Sequence, residues 1–142
     1  TLMRLVVDAN VFIAAFLRNA LTRELLLDER ADMVTPEYGL IETRAILEQP
    51  KILKRLQLSS DDFEWLWSVL TERVEVIPQS DYRAAMREAQ QLIADPKDVP
   101  YLACALQLEL AIWSNDPHFQ APRVKQRVAV FTTGDLLLKR KN

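Results

Sequence analysis

Cysteine, histidine and glycine are nearly missing from this chain: its 142 residues include one cysteine, one histidine and two glycines. A lone cysteine excludes an internal disulfide framework and most cysteine-based metal sites, and makes a reducing, cytoplasmic setting the expectation. Two glycines leave no room for a flexible hinge. Neither sign of charge is in excess, with 18 basic against 20 acidic residues and a net charge of -2. Bulk attraction to nucleic acid is therefore excluded, and any such binding has to come from a local basic patch or from a metal. Long apolar runs are missing too. No stretch reaches the roughly 18 uninterrupted apolar residues of a membrane span, and the start lacks the basic-then-apolar layout of a secretory leader. A soluble, intracellular protein with no membrane partner is expected. Repeats, low-complexity tracts and linkers are also lacking, so residues 1–142 read as one domain.

What is present is enough apolar residue, 49%, to build a core in a chain of this length. Short apolar runs alternate with helix-length amphipathic segments. Leu5 to Val7, Asp32 to Thr35, Val74 to Ile77, Ala111 to Ser114 and Val128 to Phe131 read as strands. Helices are expected from Val11 to Phe16, around Leu21 to Asp28, and from Thr35 and Pro36 to about Gln49, where Pro50 stops the chain. The hydroxyl then proline at 35 and 36 is a start signal. Further helices are expected over Lys51 to Gln57, after the SSDD capping signal at residues 59 to 62, over Asp81 to Ala94, over Val99 to Leu110, and after Thr133 and Gly134. Strands separated by helices imply an α/β fold, a parallel sheet with helices on both faces in three layers. In such sheets ligands bind beyond the carboxyl ends of the strands.

That edge is where acids collect. In VVDANVF, residues 6 to 12, Asp8 directly follows the first strand and stands among aliphatic side chains. A carboxylate in that setting is paired, exposed at an edge, or bound to a metal. Glu42 falls inside the apolar stripe of its helix, formed by Tyr38, Ile41, Ala45 and Ile46. Asp98, in ADPKDVPYLACAL, stands at a helix N-terminus where capping alone explains a carboxylate, and Asp95 could serve the same turn. Asp116 precedes Pro117 in SNDPHF, an ordinary turn start, yet it also ends a strand as Asp8 does. If the first and fourth strands are neighbours, these carboxylates converge. Two carboxylates about 4 Å apart repel by about 4 kcal/mol at an effective dielectric near 20. A cluster without a cation would therefore destabilise the fold or hold protons at neutral pH. Oxygen donors without cysteine or histidine pairs suit Mg2+ or Mn2+ better than zinc.

In order and spacing, VVDAN, GLIETRAIL around Glu42, DPKDVPYLACAL and SNDPHF resemble the acidic motifs of PIN-domain ribonucleases, and VAVFTTGDLLLKRKN resembles the family's ending. The resemblance implies a five-stranded parallel sheet in the order 3-2-1-4-5, and Mg2+- or Mn2+-dependent cleavage of RNA. By position it makes Asp8, Glu42, Asp98 and Asp116 the four acids of the site. Asn10 matches the polar residue two after the first acid, Ser114 the hydroxyl two before the fourth, and Asp95 an additional acid of one branch. Asp8 and Asp98 would be the main metal ligands, Asp116 would complete the cage, Glu42 would hold a second ion or position water, and Asn10 and Ser114 would orient carboxylates. Many members of the family are toxins restrained by an antitoxin, and members often pair, so an antitoxin partner and a homodimer are expected.

A basic rim for RNA is expected from Arg18, Arg23, Arg44, Lys51, Lys54, Arg55, Lys97 and the segment Arg123 to Arg127. His118 reads as incidental and Cys104 as a small apolar core residue. In FEWLWSVL, Phe63, Leu66, Trp67 and Leu70 make one stripe, while Trp65 points elsewhere and could face another chain. Two other readings compete with the nuclease. A non-catalytic RNA-binding or protein-interaction module of the same fold gains little from retaining four mutually repelling acids. A phosphatase or phospho-receiver wants features missing here, since Asn10 stands where a haloacid-type phosphatase needs a second aspartate and no lysine is well placed after the fifth strand.

Overall fold

A computed structural model describes residues 3–141. The strands are β1 (Met3–Val7), β2 (Ala31–Pro36), β3 (Glu75–Ile77), β4 (Ala111–Trp113) and β5 (Val130–Phe131). The helices are α1 (Ala9–Phe16), α2 (Ala20–Leu26), α3 (Glu37–Leu47), α4 (Pro50–Leu56), α5 (Ser60–Thr71), α6 (Gln79–Tyr82), α7 (Met86–Leu92), α8 (Val99–Leu108), α9 (Pro122–Lys125) and α10 (Thr133–Lys141). Short 3-10 turns occupy Arg83–Ala85 and Pro117–Gln120. The strands form one parallel sheet in the order β3-β2-β1-β4-β5, the expected topology.

Both faces of the sheet are covered, and the alternation along β1 shows how. Val6 packs with Val34, Ile77, Ile112 and Val130 under the face covered by α7 and α8, while Leu5 and Val7 pack with Met33 and Trp113 against α1, α2 and α5. Successive side chains of a strand point to opposite faces, so a central strand buried on both sides must be apolar throughout. The register Val6 with Val34 and with Ile112 places these residues in one layer. Where the apolar run stops, at Asp8, β1 has reached the end of the sheet.

Several boundaries differ from expectation for identifiable reasons. Thr35 is not a helix cap: it remains in β2, and its buried hydroxyl donates to the Val7 carbonyl at 3.0 Å, so α3 begins after Pro36. Pro50 does end one helix, and it also opens α4, a position where its missing N–H costs nothing. The single helix expected over Asp81 to Ala94 is broken into α6, a 3-10 turn and α7. The stripe assigned to α3 is corrected most. Ile41 is 68% exposed, and Gly39, Thr43 and Leu47 form the buried face instead. In α5 the capping signal acts as read: Ser59 Oγ accepts from the Asp62 N–H at 3.1 Å. Phe63 and Leu70 are buried, whereas Trp65 is 67% exposed. Among the described residues no helix is long and apolar enough to cross a membrane.

Candidate functional site

The parallel pairing of β1 with β4 brings their carboxyl ends together. The Asp8 N–H donates to the Trp113 carbonyl at 3.1 Å, and the Ser114 N–H to the Phe131 carbonyl at 3.0 Å, so both residues leave the sheet held by its last rungs. Asp8 is 4% exposed. One of its oxygens accepts from the Ala9 N–H at 2.8 Å and the other from the Ser114 hydroxyl at 2.7 Å. Burial pushes the Asp8 carboxyl up to about 7; the two hydrogen bonds oppose that, and the charges of Asp98 and Glu42 add to it.

Ser114 is the hub of this corner. While donating to Asp8, its Oγ accepts from the Asp116 N–H at 3.0 Å and from Asn10 Nδ2 at 3.4 Å. Asn10 Oδ1 is buried without a donor. Such an orphaned acceptor beside a carboxylate is a polar atom in want of a cation or a water.

Asp98 precedes α8 in the N-cap position, but its side chain makes no capping bond. It is 6% exposed, and its Oδ2 meets His118 Nδ1 at 2.7 Å. Burial raises the Asp98 carboxyl, the hydrogen bond from His118 counters that, and Asp116 and Asp95 raise it again. The capping explanation that accounts for Asp98 in the sequence thus fails in the structure. Asp116 does cap: its Oδ1 accepts from the His118 N–H at 2.9 Å, opening the 3-10 turn. Asp95 likewise accepts from the Lys97 N–H at 2.9 Å.

Glu42 reaches the site from α3. Its Oε1 accepts from the Tyr101 phenol at 2.7 Å and its Oε2 from Tyr38 at 3.2 Å. Burial, with the Glu42 charge adding to it, pushes the Tyr38 phenol up to about 12 and the Tyr101 phenol far above the usual range. Both phenols therefore remain donors at any working pH.

The charges of Asp98 and Glu42 are felt at Asp8, and those of Asp116 and Asp95 at Asp98. The tightest grouping of ligand-type atoms among the described residues is nevertheless Asp95, Asp98 and His118, all within 4.8 Å of one another. Sequence reasoning missed His118. Its signal was position, two residues past Asp116. No lysine or arginine pairs with Asp8, Glu42, Asp95, Asp98 or Asp116 among the described residues. Buried oxygen donors left without a basic partner, and an orphaned Asn10 carbonyl oxygen, fit a hard divalent cation.

The expected basic rim is only partly available. Arg23 is tied to the carbonyls of Ala15 at 2.5 Å and Phe16 at 3.4 Å. Arg44 pairs with Glu48 and Glu64 and stacks over Phe63 and Trp67. Arg127 pairs with Glu88 at 2.6 Å. These three guanidinium groups are engaged within the fold.

The crystal structure of VapBC2 from Rickettsia felis bound to a DNA fragment from their promoter superimposes with a TM-score of 0.61 at 15% identity, covering 92% of this chain and 98% of that one. The crystal structure of FitAcB from Neisseria gonorrhoeae gives a TM-score of 0.60 at 21% identity, covering 93% and 99%. At these identities the likeness is one of fold. No curated protein matches the chain in sequence. The family model of the PIN domain matches residues 6–133, from the strand that leads into Asp8 to the start of the final helix. A 3-2-1-4-5 parallel sheet with acids at the carboxyl edge of its central strands, matched over that span, makes this chain a member of the PIN-domain family.

Proposed function

We propose that this protein is a Mg2+- or Mn2+-dependent endoribonuclease, a single-domain cytoplasmic enzyme that hydrolyses RNA phosphodiester bonds as the toxin of a toxin–antitoxin pair. The observation that carries the reading is the burial of Asp8 and Asp98 beside Glu42 with no lysine or arginine to neutralise them among the described residues. Such a cluster stores repulsion that a divalent cation relieves. Membership of the PIN-domain family supports nuclease chemistry, and the fold likeness to VapBC2 and FitAcB supports the toxin role.

In this reading Asp8 and Asp98 would hold the cation, with Asp116 completing the cage. When bound, the cation supplies Lewis-acid stabilisation of charge on the phosphoryl oxygens and an acidified water. The chain's own residues do the rest by orientation. Ser114 fixes one oxygen of Asp8, and His118 fixes one oxygen of Asp98. Glu42, gripped by two phenols, would orient the attacking water through its remaining lone pairs. Asn10 would act from just outside this group through Ser114, and Asp95, beside Asp98 and His118, would support the ligands. The exposed indole of Trp65 supports a homodimer in which a second copy covers α5.

The test is incubation of purified protein with mixed RNA and Mn2+, with and without chelator, for the native chain and Asp8→Asn. Cleavage that needs Mn2+ and disappears in Asp8→Asn is expected. The variant, freed of a buried carboxyl, should match or exceed the native melting temperature without metal and gain nothing from Mn2+. Undiminished cleavage in Asp8→Asn rejects the assignment, and RNA binding without any cleavage in the native chain points to a non-catalytic module.

A further inference from the structure

A cavity of about 430 Å3 opens beside the carboxylate cluster. The end of α7 and the segment after β4 line it with aliphatic side chains, Ile93, Ala94 and Pro117 among them, and with three ionisable ones, Asp95, His118 and Arg123. Two of these belong to the cluster already described. His118 meets Asp98 at 2.7 Å through Nδ1 while its ring also forms cavity wall. The cavity therefore adjoins the carboxylate cluster directly.

Arg123 matters here by its place, on the wall of the cavity that Asp95 and His118 also line. Arg4, Arg30, Arg44, Arg127 and Arg140 form ion pairs with carboxylates, whereas Arg18, Arg55, Arg83 and Arg87 form none among the described residues and do not line this cavity. Arg123, exposed at the start of α9, has no carboxylate partner among the described residues. It is a guanidinium at the edge of an aliphatic hollow that the carboxylate cluster borders. A planar fork of N–H donors matches a phosphate, the volume lies in the range of sites that enclose a small ligand, and an aliphatic wall accepts the face of a base.

We propose that this cavity is the subsite for the nucleotide flanking the scissile phosphate of a single-stranded RNA, with Arg123 holding its phosphate and the wall around Ala94 packing against its base. The proposal rests on the nuclease reading and adds a preference to it. A base has to leave its stack to enter, so unpaired RNA is favoured over duplex.

The experiment measures binding of a short fluorescein-labelled single-stranded RNA with Ca2+ in place of Mn2+, then cleavage with Mn2+. It compares the native chain, Arg123→Ala, Ala94→Phe to fill the hollow, and Arg83→Ala, an exposed arginine outside the cavity. Melting temperatures confirm that each variant is folded. Arg123→Ala should bind about tenfold more weakly, with a logarithmic salt slope shallower by about 0.7, and should raise KM with kcat little changed. Ala94→Phe should weaken binding without altering the slope, and Arg83→Ala should do neither. If the native chain cleaves RNA while Arg123→Ala and Ala94→Phe behave like Arg83→Ala, the subsite is refuted and the nuclease reading stands. If the native chain neither binds nor cleaves RNA, the nuclease reading fails and the subsite with it. Unaltered RNA binding, with loss of a copurifying protein in Arg123→Ala, reassigns the cavity to protein docking.

Discussion

Ser114 Oγ donates to Asp8 Oδ2 at 2.7 Å across 106 positions of sequence, joining the ends of two adjacent parallel strands at a point where an acid interrupts the core. The bond holds one Asp8 oxygen still and lowers the cost of charging it. Removing it with Ser114→Ala leaves a buried carboxyl with one partner fewer. Global stability in urea should fall by about 1–3 kcal/mol, and Mn2+ affinity, measured by calorimetry, should fall by about 10- to 100-fold.

Asp8 also sets a pH dependence in the metal-free protein. Its folded carboxyl is raised, by burial first, from an ordinary 3.8 to about 7. The folded state therefore holds a proton that the unfolded state has released. The stabilisation from this group is full below about 3.8 and is lost as pH rises through about 7. Chelator-treated protein should thus lose stability between these values, and Asp8→Asn should flatten that part of the profile in urea titrations. An unchanged slope in the variant would show that Asp8 is not the titrating group.

His118 holds Asp98 through Nδ1. Asparagine can place an amide N–H near the same point, whereas alanine cannot. His118→Asn should keep Mn2+ affinity within a few-fold of native, while His118→Ala should lose about 10- to 100-fold, with both variants folded by circular dichroism. Equal loss in the two variants would mean that the ring itself, not its donor, is required.

Gly39 couples the fold to Glu42. A Cβ there would collide with Thr35 Oγ1 and lie 3.1 Å from Tyr101 Cε1. Thr35 cannot give way readily, because it is buried and bonded to the Val7 carbonyl at 3.0 Å. Alanine is intrinsically better in a helix by about 1 kcal/mol, but overpacking costs about 1–3 kcal/mol, so Gly39→Ala should destabilise on balance. It should also displace Tyr101 from Glu42, and a fall in kcat greater than the loss of folded protein would register that. Tyr101→Phe should lower kcat in the same direction without the clash.

Trp65 offers a separate test of assembly. If a second copy covers α5, Trp65→Glu should convert a dimer into a monomer by light scattering while leaving the melting transition cooperative. A native chain that is already monomeric at high concentration would remove the homodimer from the reading.

Period and position in the amino-acid chain determined a great deal here. Apolar runs of strand length between amphipathic helical segments specified the alternation of β and α, because a parallel strand covered on both faces must be apolar throughout. Asp8, Asp98, Glu42 and Asp116 were legible as breaks in that pattern or as acids at element ends, and the motif order connected them to the family whose model matches residues 6–133. Local chemistry at Ser59 was legible too, since a cap involves only the next three residues.

What only the tertiary structure decided depends on neighbours distant in sequence. The stripe of α3 was misread because its helical period fits more than one face, and packing against the rest of the fold selected Gly39, Thr43 and Leu47. Asp98 had a sufficient local explanation as a cap until folding brought His118 to its oxygen from 20 positions away. Arg23, Arg44 and Arg127 looked like a rim for RNA, but each found a carbonyl or carboxylate within the fold, whereas Arg123 lines the cavity with no carboxylate partner among the described residues. A charged side chain's role is set by the partners within a few ångströms of it, and those are chosen by chain topology, which one-dimensional spacing does not contain.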